Sequence, residues 1–183
     1  DRQGGFAPHL LRYAELGGVR DLIEIRDSRL SCFPIFKYYL HDYIDRGLLL
    51  PIQSELIESR PAGDPIALMH IDSPKFYTEF KPILFRFFPL LKTRSVVVFQ
   101  DFFYHWSATL IAAVGALINH GIIKPTESAA SALACEVIKS ISPHVVTEID
   151  LSLSSGDETS TLIDRAIEAC TTIKLDRPES FMP

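Results

Sequence analysis

Cysteine, basic charge and long apolar stretches are all scarce in this chain. Three cysteines in 183 residues, Cys32, Cys135 and Cys170, are an odd number at wide spacing. They form no disulfide framework and no Cys-x-x-Cys metal motif, and they fit a reduced, cytoplasmic setting best. Eighteen Lys+Arg stand against 23 Asp+Glu, for a net charge of -5. With no basic excess, nucleic acid is not expected as a partner. The longest apolar run, residues 108–118, falls well short of the ~20 residues that span a bilayer, so no membrane partner is expected either. Internal repeats, low-complexity tracts and linkers are missing too. No signal peptide is visible, but Asp1 is not a natural start, so upstream residues are expected and targeting is not judged from this sequence.

What is present is apolar content and alternation. At 47% hydrophobic residues the chain can bury one sizeable core, and one domain over residues 1–175 with a tail over 176–183 is expected. Helical spacing over residues 6–16 stops at Gly17-Gly18, and residues 22–25 read as a short buried strand. Residues 34–46 return to helical spacing up to Gly47, and residues 48–52 read as the next strand, with Pro51 marking an end or irregularity. Ser54 can cap a short helix through Arg60, and residues 66–71 form a strand. A Phe-rich helix is expected over residues 76–91, interrupted by Pro82 and Pro89. A β-branched strand follows over residues 96–99, then an Ala-rich helix over residues 107–120. Residues 131–141 and 145–153, separated by Ser142-Pro143-His144, read as an antiparallel pair, and residues 159–173 as a closing helix.

The chemistry concentrates where two of these strands end. Ile66-Ala-Leu-Met-His-Ile-Asp72 and Val96-Val-Val-Phe-Gln-Asp101 are short apolar runs, each closed by a carboxylate and separated by one helix-length segment. Neighbouring parallel strands deliver acids in this way to the crevice beyond their carboxyl ends, where ligands of open α/β sheets bind.

Together these elements resemble the class I S-adenosylmethionine-dependent methyltransferases. The resemblance implies a Rossmann-like three-layer α/β/α sandwich with a mostly parallel sheet and an antiparallel C-terminal edge. Its first strand would lie upstream of Asp1. Gln3-Gly4-Gly5-Phe6 resembles the back half of the family's glycine-rich loop, which implies a cofactor-binding role for Gly4 and Gly5. Asp27 matches the acidic position that accepts the cofactor's ribose hydroxyls, and Gln53 with Ser54 matches the adenine loop. His70-Ile-Asp72 with Tyr77, and Gln100-Asp101-Phe102, are similar to the acidic blocks of macrocin-type sugar O-methyltransferases, whose metal-dependent members hold a divalent cation there. Here Pro74 and Gln100 replace two of those acids, which leaves Asp72 and Asp101 as candidate Mg²⁺ ligands and a metal less expected than not.

The resemblance implies S-adenosylmethionine as cofactor and a sugar or small secondary metabolite as substrate. Methyl transfer to a hydroxyl needs alignment of the reactants and removal of one proton, and Asp72, His105 and His70 are the candidate bases; the resemblance implies Asp72, His105 and Asp101 as the catalytic residues and adds His70 to the cofactor-binding ones. His105 is flanked by Tyr104 and Trp106, which could wall a flat substrate. Each residue also has a plainer reading: Gly4-Gly5 as a turn, Asp27 as a solvated charge, Ser54 as a helix cap, His105 as a helix-start histidine. A methyltransferase-like domain without catalysis, serving as a binding module of a longer protein, is the competing function. Another nucleotide-using α/β enzyme is a third. A homo-oligomer or flanking domains stay open.

Overall fold

A computed structural model describes residues 7–26, 29–56, 58–61, 65–72, 74, 76–104, 107–151 and 154–173. The chain forms two compact units, Asp1–Ser54 and Glu55–Pro183.

In the first unit, helix α1 (Ala7–Leu16) leads through a 3-10 turn (Arg20–Leu22) to strands β1 (Glu24–Arg26) and β2 (Arg29–Ser31), and then to helices α2 (Phe33–Tyr39) and α3 (His41–Asp45). The expected stop at Gly17-Gly18 holds because Gly18 takes φ +66, which lets the Val19 amide reach back to the Ala14 carbonyl at 2.9 Å. The sequence reading of residues 22–25 as a sheet strand needs correction. The strand is a three-residue arm that pairs antiparallel with β2, Ile25 opposite Leu30, in a two-stranded sheet of its own. Residues 48–52 form no strand, consistent with a proline in the run that removes a ladder donor. Among the described residues of this unit Ala14 and Val19 are buried, whereas Tyr38, Tyr39, Tyr43, Leu48, Leu50 and Ile52 stay exposed.

The second unit is built on a four-stranded mixed sheet. Strands β3 (Ile66–Ile71), β4 (Leu91–Phe99), β5 (Ile123–Ala129) and β6 (Ala132–Val137) lie in the order β3-β4-β6-β5. β3 and β4 are parallel, with Ile71 opposite Phe99, while β6 runs antiparallel to both β4 and β5. Two of the three pairings are therefore antiparallel, which corrects the expectation of a mostly parallel sheet. Even so, β3, β4 and β5 point the same way, with β6 inserted in reverse between the last two.

The antiparallel pair was placed too late by the sequence reading. It spans 123–129 and 132–137, and residues 143–148 form helix α6 (Pro143–Glu148). Ser142 accepts the Val145 amide as its N-cap and Pro143 takes the first turn, where a missing N–H costs nothing. The Glu58 and Ser59 amides donate to the Glu55 carbonyl at 2.9 and 3.1 Å in a turn, and among the described residues of this stretch no helix forms where one was expected through Arg60.

Helices α4 (Tyr77–Arg86), α5 (Ala108–Asn119) and α7 (Gly156–Cys170) complete the unit. The alternation along each strand puts Met69, Ile71, Val97, Phe99, Leu133, Cys135 and Val137 on one face, buried in a single core with Phe80, Leu84, Val114, Leu117 and Ala166 of the helices. Each fully buried Phe or Leu contributes about 1.5–3 kcal/mol of transfer free energy. Phe80 sets the aromatic contacts, edge-on to Phe88 at 5.9 Å and tilted against Phe99 at 6.4 Å. The opposite face, with Leu68, His70, Val96 and Val98, is half-buried to exposed, Leu68 by 65%. Among the described residues no helix is long and apolar enough to cross a membrane.

Lys92-Thr-Arg94 lies just ahead of the strand expected from Val96. In the structure it lies within β4 as an irregularity, where the register slips between Ile66 and Leu68 and Arg94 takes φ 74. Ser95, 4% exposed, closes the defect. Its hydroxyl donates to the Ile66 carbonyl at 2.7 Å and accepts from the Lys92 amide at 2.9 Å.

Candidate functional site

The carboxyl ends of β3, β4 and β5 share one edge of the sheet, and β6 begins there. The Gln100 amide donates to the Ile71 carbonyl at 2.8 Å, which extends the β3–β4 ladder one step and brings the residues after each strand together. Asp72, exposed, thus follows β3 beside the point where Gln100 and Asp101 follow β4. This is the juxtaposition expected from the sequence.

Asp101 is shaped by its neighbours. Phe99 and Phe102 are both fully buried, so the two residues between them must turn outward. Asp101 does so with φ 58, a left-handed conformation that Asp tolerates better than most side chains. Its carbonyl accepts from the Ser107 hydroxyl at 2.6 Å and from the Tyr104 amide at 3.2 Å, and Ser107 is itself 1% exposed.

The residue that sequence reasoning missed is Ser131, at the turn between β5 and β6. Ala130 takes φ 49, and Ser131 follows it with three contacts to the segment after β4. Its carbonyl accepts the Phe103 amide at 3.2 Å, its hydroxyl donates to Asp101 Oδ1 at 3.3 Å, and Gln100 Nε2 donates to that hydroxyl at 3.3 Å. Gln100 Nε2 also lies 3.5 Å from Asp101 Oδ1. No sequence motif marks Ser131; only the insertion of β6 beside β4, with Leu133 opposite Phe99, puts it there.

The other candidates divide. His70 lies on β3 opposite Val98, exposed on the open face of the sheet, on the face opposite Met69 and Ile71. Gln53 belongs to the first unit, where its amide donates to the hydroxyl of Ser31, the last residue of β2, at 2.9 Å; Ser54 is the last residue of that unit. Gly4, Gly5, Asp27 and His105 lie outside the described residues. His41 and His144 have side chains 63% and 84% exposed.

Tyr77 begins α4 and its hydroxyl is buried. Burial, above all, pushes its pKa upward; the Leu151 backbone opposes this, and the Asp150 carboxylate beside it adds smaller upward pushes. Those groups are near enough to shift it, yet it makes no hydrogen bond of good geometry among the described residues. Asp150 pairs with Lys81 Nζ at 2.6 Å, one turn along α4. Tyr77 is therefore a neutral, protonated group inside the fold and not a base.

The donor set fits a divalent cation poorly. Asp101 already accepts from neutral donors, Pro74 is buried where an acid would stand, and no group of three or more His, Cys, Asp or Glu among the described residues could hold a metal ion. Comparison of the chain with protein-family models, curated proteins and solved structures gives no match.

Proposed function

We propose that the chain carries an S-adenosylmethionine-dependent O-methyltransferase domain acting on a sugar or small secondary metabolite. The observation that carries the reading is the strand-end cluster. Three co-directional strands and one reversed strand bring Asp72, Gln100, Asp101 and Ser131 to the edge where open α/β sheets bind ligands. The reading includes a Rossmann-like three-layer sandwich, which requires a second layer over the sheet face that carries Leu68 and His70.

The cofactor, when bound, supplies an electrophilic methyl group on a sulfonium. The chain's part is to orient an acceptor hydroxyl and take its proton, for which the exposed Asp72 carboxylate is suited. Because the donor set fits a cation poorly, no step of this reading runs through a metal.

The second reading, a methyltransferase-like binding module without catalysis, is favoured by Pro74 and Gln100 in place of acids. Calorimetric titration of the complete protein with S-adenosylmethionine and S-adenosylhomocysteine separates the two. Micromolar binding of both supports the enzyme, and no heat at cofactor concentrations up to the millimolar range removes it.

A further inference from the structure

We infer that Ser131 is a positioning residue for Asp101, so that the turn between β5 and β6 sets the direction in which the Asp101 carboxylate faces the strand-end edge. The inference deepens the methyltransferase reading and rests on it for its catalytic meaning. Its structural part stands alone.

The argument starts from donor and acceptor inventories. An ionised carboxylate only accepts hydrogen bonds, and an amide NH₂ only donates. A hydroxyl can do both at once, and Ser131 Oγ does, accepting from Gln100 Nε2 and donating to Asp101 Oδ1, both at 3.3 Å. Alanine at this position would remove both contacts, whereas threonine keeps the hydroxyl.

The main chain of Asp101 is fixed by other means. Its carbonyl is held by the buried Ser107 hydroxyl at 2.6 Å, and the neighbouring Phe102 is fully buried. The Asp101 carboxylate accepts from the Ser131 hydroxyl and lies within reach of the Gln100 amide, so these two contacts bear on its side-chain torsions. At 3.3–3.5 Å these contacts are long for their kind, so each adds little stability while restraining direction. Loss of Ser131 should therefore change the carboxylate's orientation far more than it changes the fold. The Phe103 amide bonds the Ser131 backbone, which keeps the turn docked when the side chain is altered.

The test compares Ser131→Ala and Ser131→Thr in uniformly ¹³C,¹⁵N-labelled protein. Three-bond N–Cγ and C′–Cγ couplings of Asp101 report its χ1 directly. The expected result is a single χ1 in the wild type and Ser131→Thr, rotamer-averaged couplings in Ser131→Ala, and melting temperatures within a few degrees of one another. If alanine disturbs the turn, Ser131→Cys, nearly isosteric and a far weaker donor, serves in its place. Wild-type couplings in the variant lacking the hydroxyl would overturn the inference.

The catalytic part predicts a roughly tenfold lower kcat in Ser131→Ala, unchanged KM for the cofactor, and rescue by threonine. Averaged couplings with unchanged kcat would overturn that part. A wild type that binds no cofactor removes the methyltransferase reading, and the couplings still decide whether Ser131 holds Asp101.

Discussion

Replacing Gly115 with alanine puts the packing of α5 on α7 to a quantitative test. A Cβ at Gly115 would sit 1.9 Å from the Leu162 carbonyl oxygen and 2.7 Å from its carbon, with the Leu162 Cα at 3.3 Å. The obstacle is backbone, so no side-chain rotation relieves it. Nor can α5 retreat, because Leu110 and every residue from Ala112 to Leu117 are buried. The two helices must part by more than an ångström at their crossing. Overpacking of this kind costs about 1–3 kcal/mol and occasionally more, against the ~0.5–1 kcal/mol that alanine gains over glycine inside a helix. With a backbone obstacle the cost belongs at the upper end of that range, and the net expectation is destabilisation by about 2 kcal/mol, or a melting temperature lower by roughly 5–10 °C for a unit of this size.

The control is Gly156→Ala at the first position of α7. There a Cβ meets nothing within 4 Å, and the change should be neutral or slightly stabilising. Urea unfolding followed by circular dichroism measures both. A Gly115→Ala protein as stable as the wild type would refute the close approach of the two helices.

Ser95→Ala should cost about 1–3 kcal/mol in the same assay, because the Ile66 carbonyl and the Lys92 amide lose their shared partner at the irregularity in β4. Of the three thiols, exposed Cys32 should react quickly with a disulfide reagent, and Cys135 and Cys170 only as the protein unfolds. Burial raises the Cys170 thiol from 9.0 to about 11, and burial, with the neighbouring Cys170, raises Cys135 as well. Both are acids that stay protonated longer when folded. Stability should therefore be level below pH 9 and fall above it, approaching ~1.4 kcal/mol per pH unit for each thiol, as urea midpoints at pH 8, 9 and 10 would show. If the protein methylates a hydroxyl substrate, Asp72→Asn should lower turnover by ~10²-fold or more while leaving cofactor affinity nearly unchanged, and a chelator should leave the wild-type rate intact.

The strands with strong local signals were legible. Residues 66–71 match β3 at both ends, and the β-branched run 96–99 forms the second half of β4. The first half was lost because Lys92, Thr93 and Arg94 look like a turn, and only Ser95 bonding across to Ile66 makes them part of a strand. The C-terminal hairpin was misplaced for two reasons. Its turn is Ala130-Ser131, with a left-handed alanine and none of the Asn-Gly chemistry that announces a hairpin. Ser142-Pro143 was taken for a turn when it is a helix start with serine as cap. The same kind of signal was overlooked at Ser155 and Glu158, whose reciprocal capping box begins α7 at Gly156, ahead of the expected Thr159. At the candidate site, Asp72 and Asp101 could be placed together from sequence because each closes a strand. Ser131 could not, because its contact with Asp101 spans thirty residues and depends on strand order.

The order β3-β4-β6-β5 also bears on how the chain is made. Among the described residues the last strand in chain order, β6, is an interior one, so until residue 137 has left the ribosome β4 lacks its β6 partner and so does β5. About 40 residues separate the end of β4 from that point, an interval of roughly 2–8 s at ordinary elongation rates. During it Val96, Val97 and Val98 form an open, β-branched strand of the kind that recruits foreign strands. Nascent chains stalled before residue 132 should therefore depend on a holdase for solubility, and chains that extend through α7, whose Ala166 and Cys170 complete the core, should not.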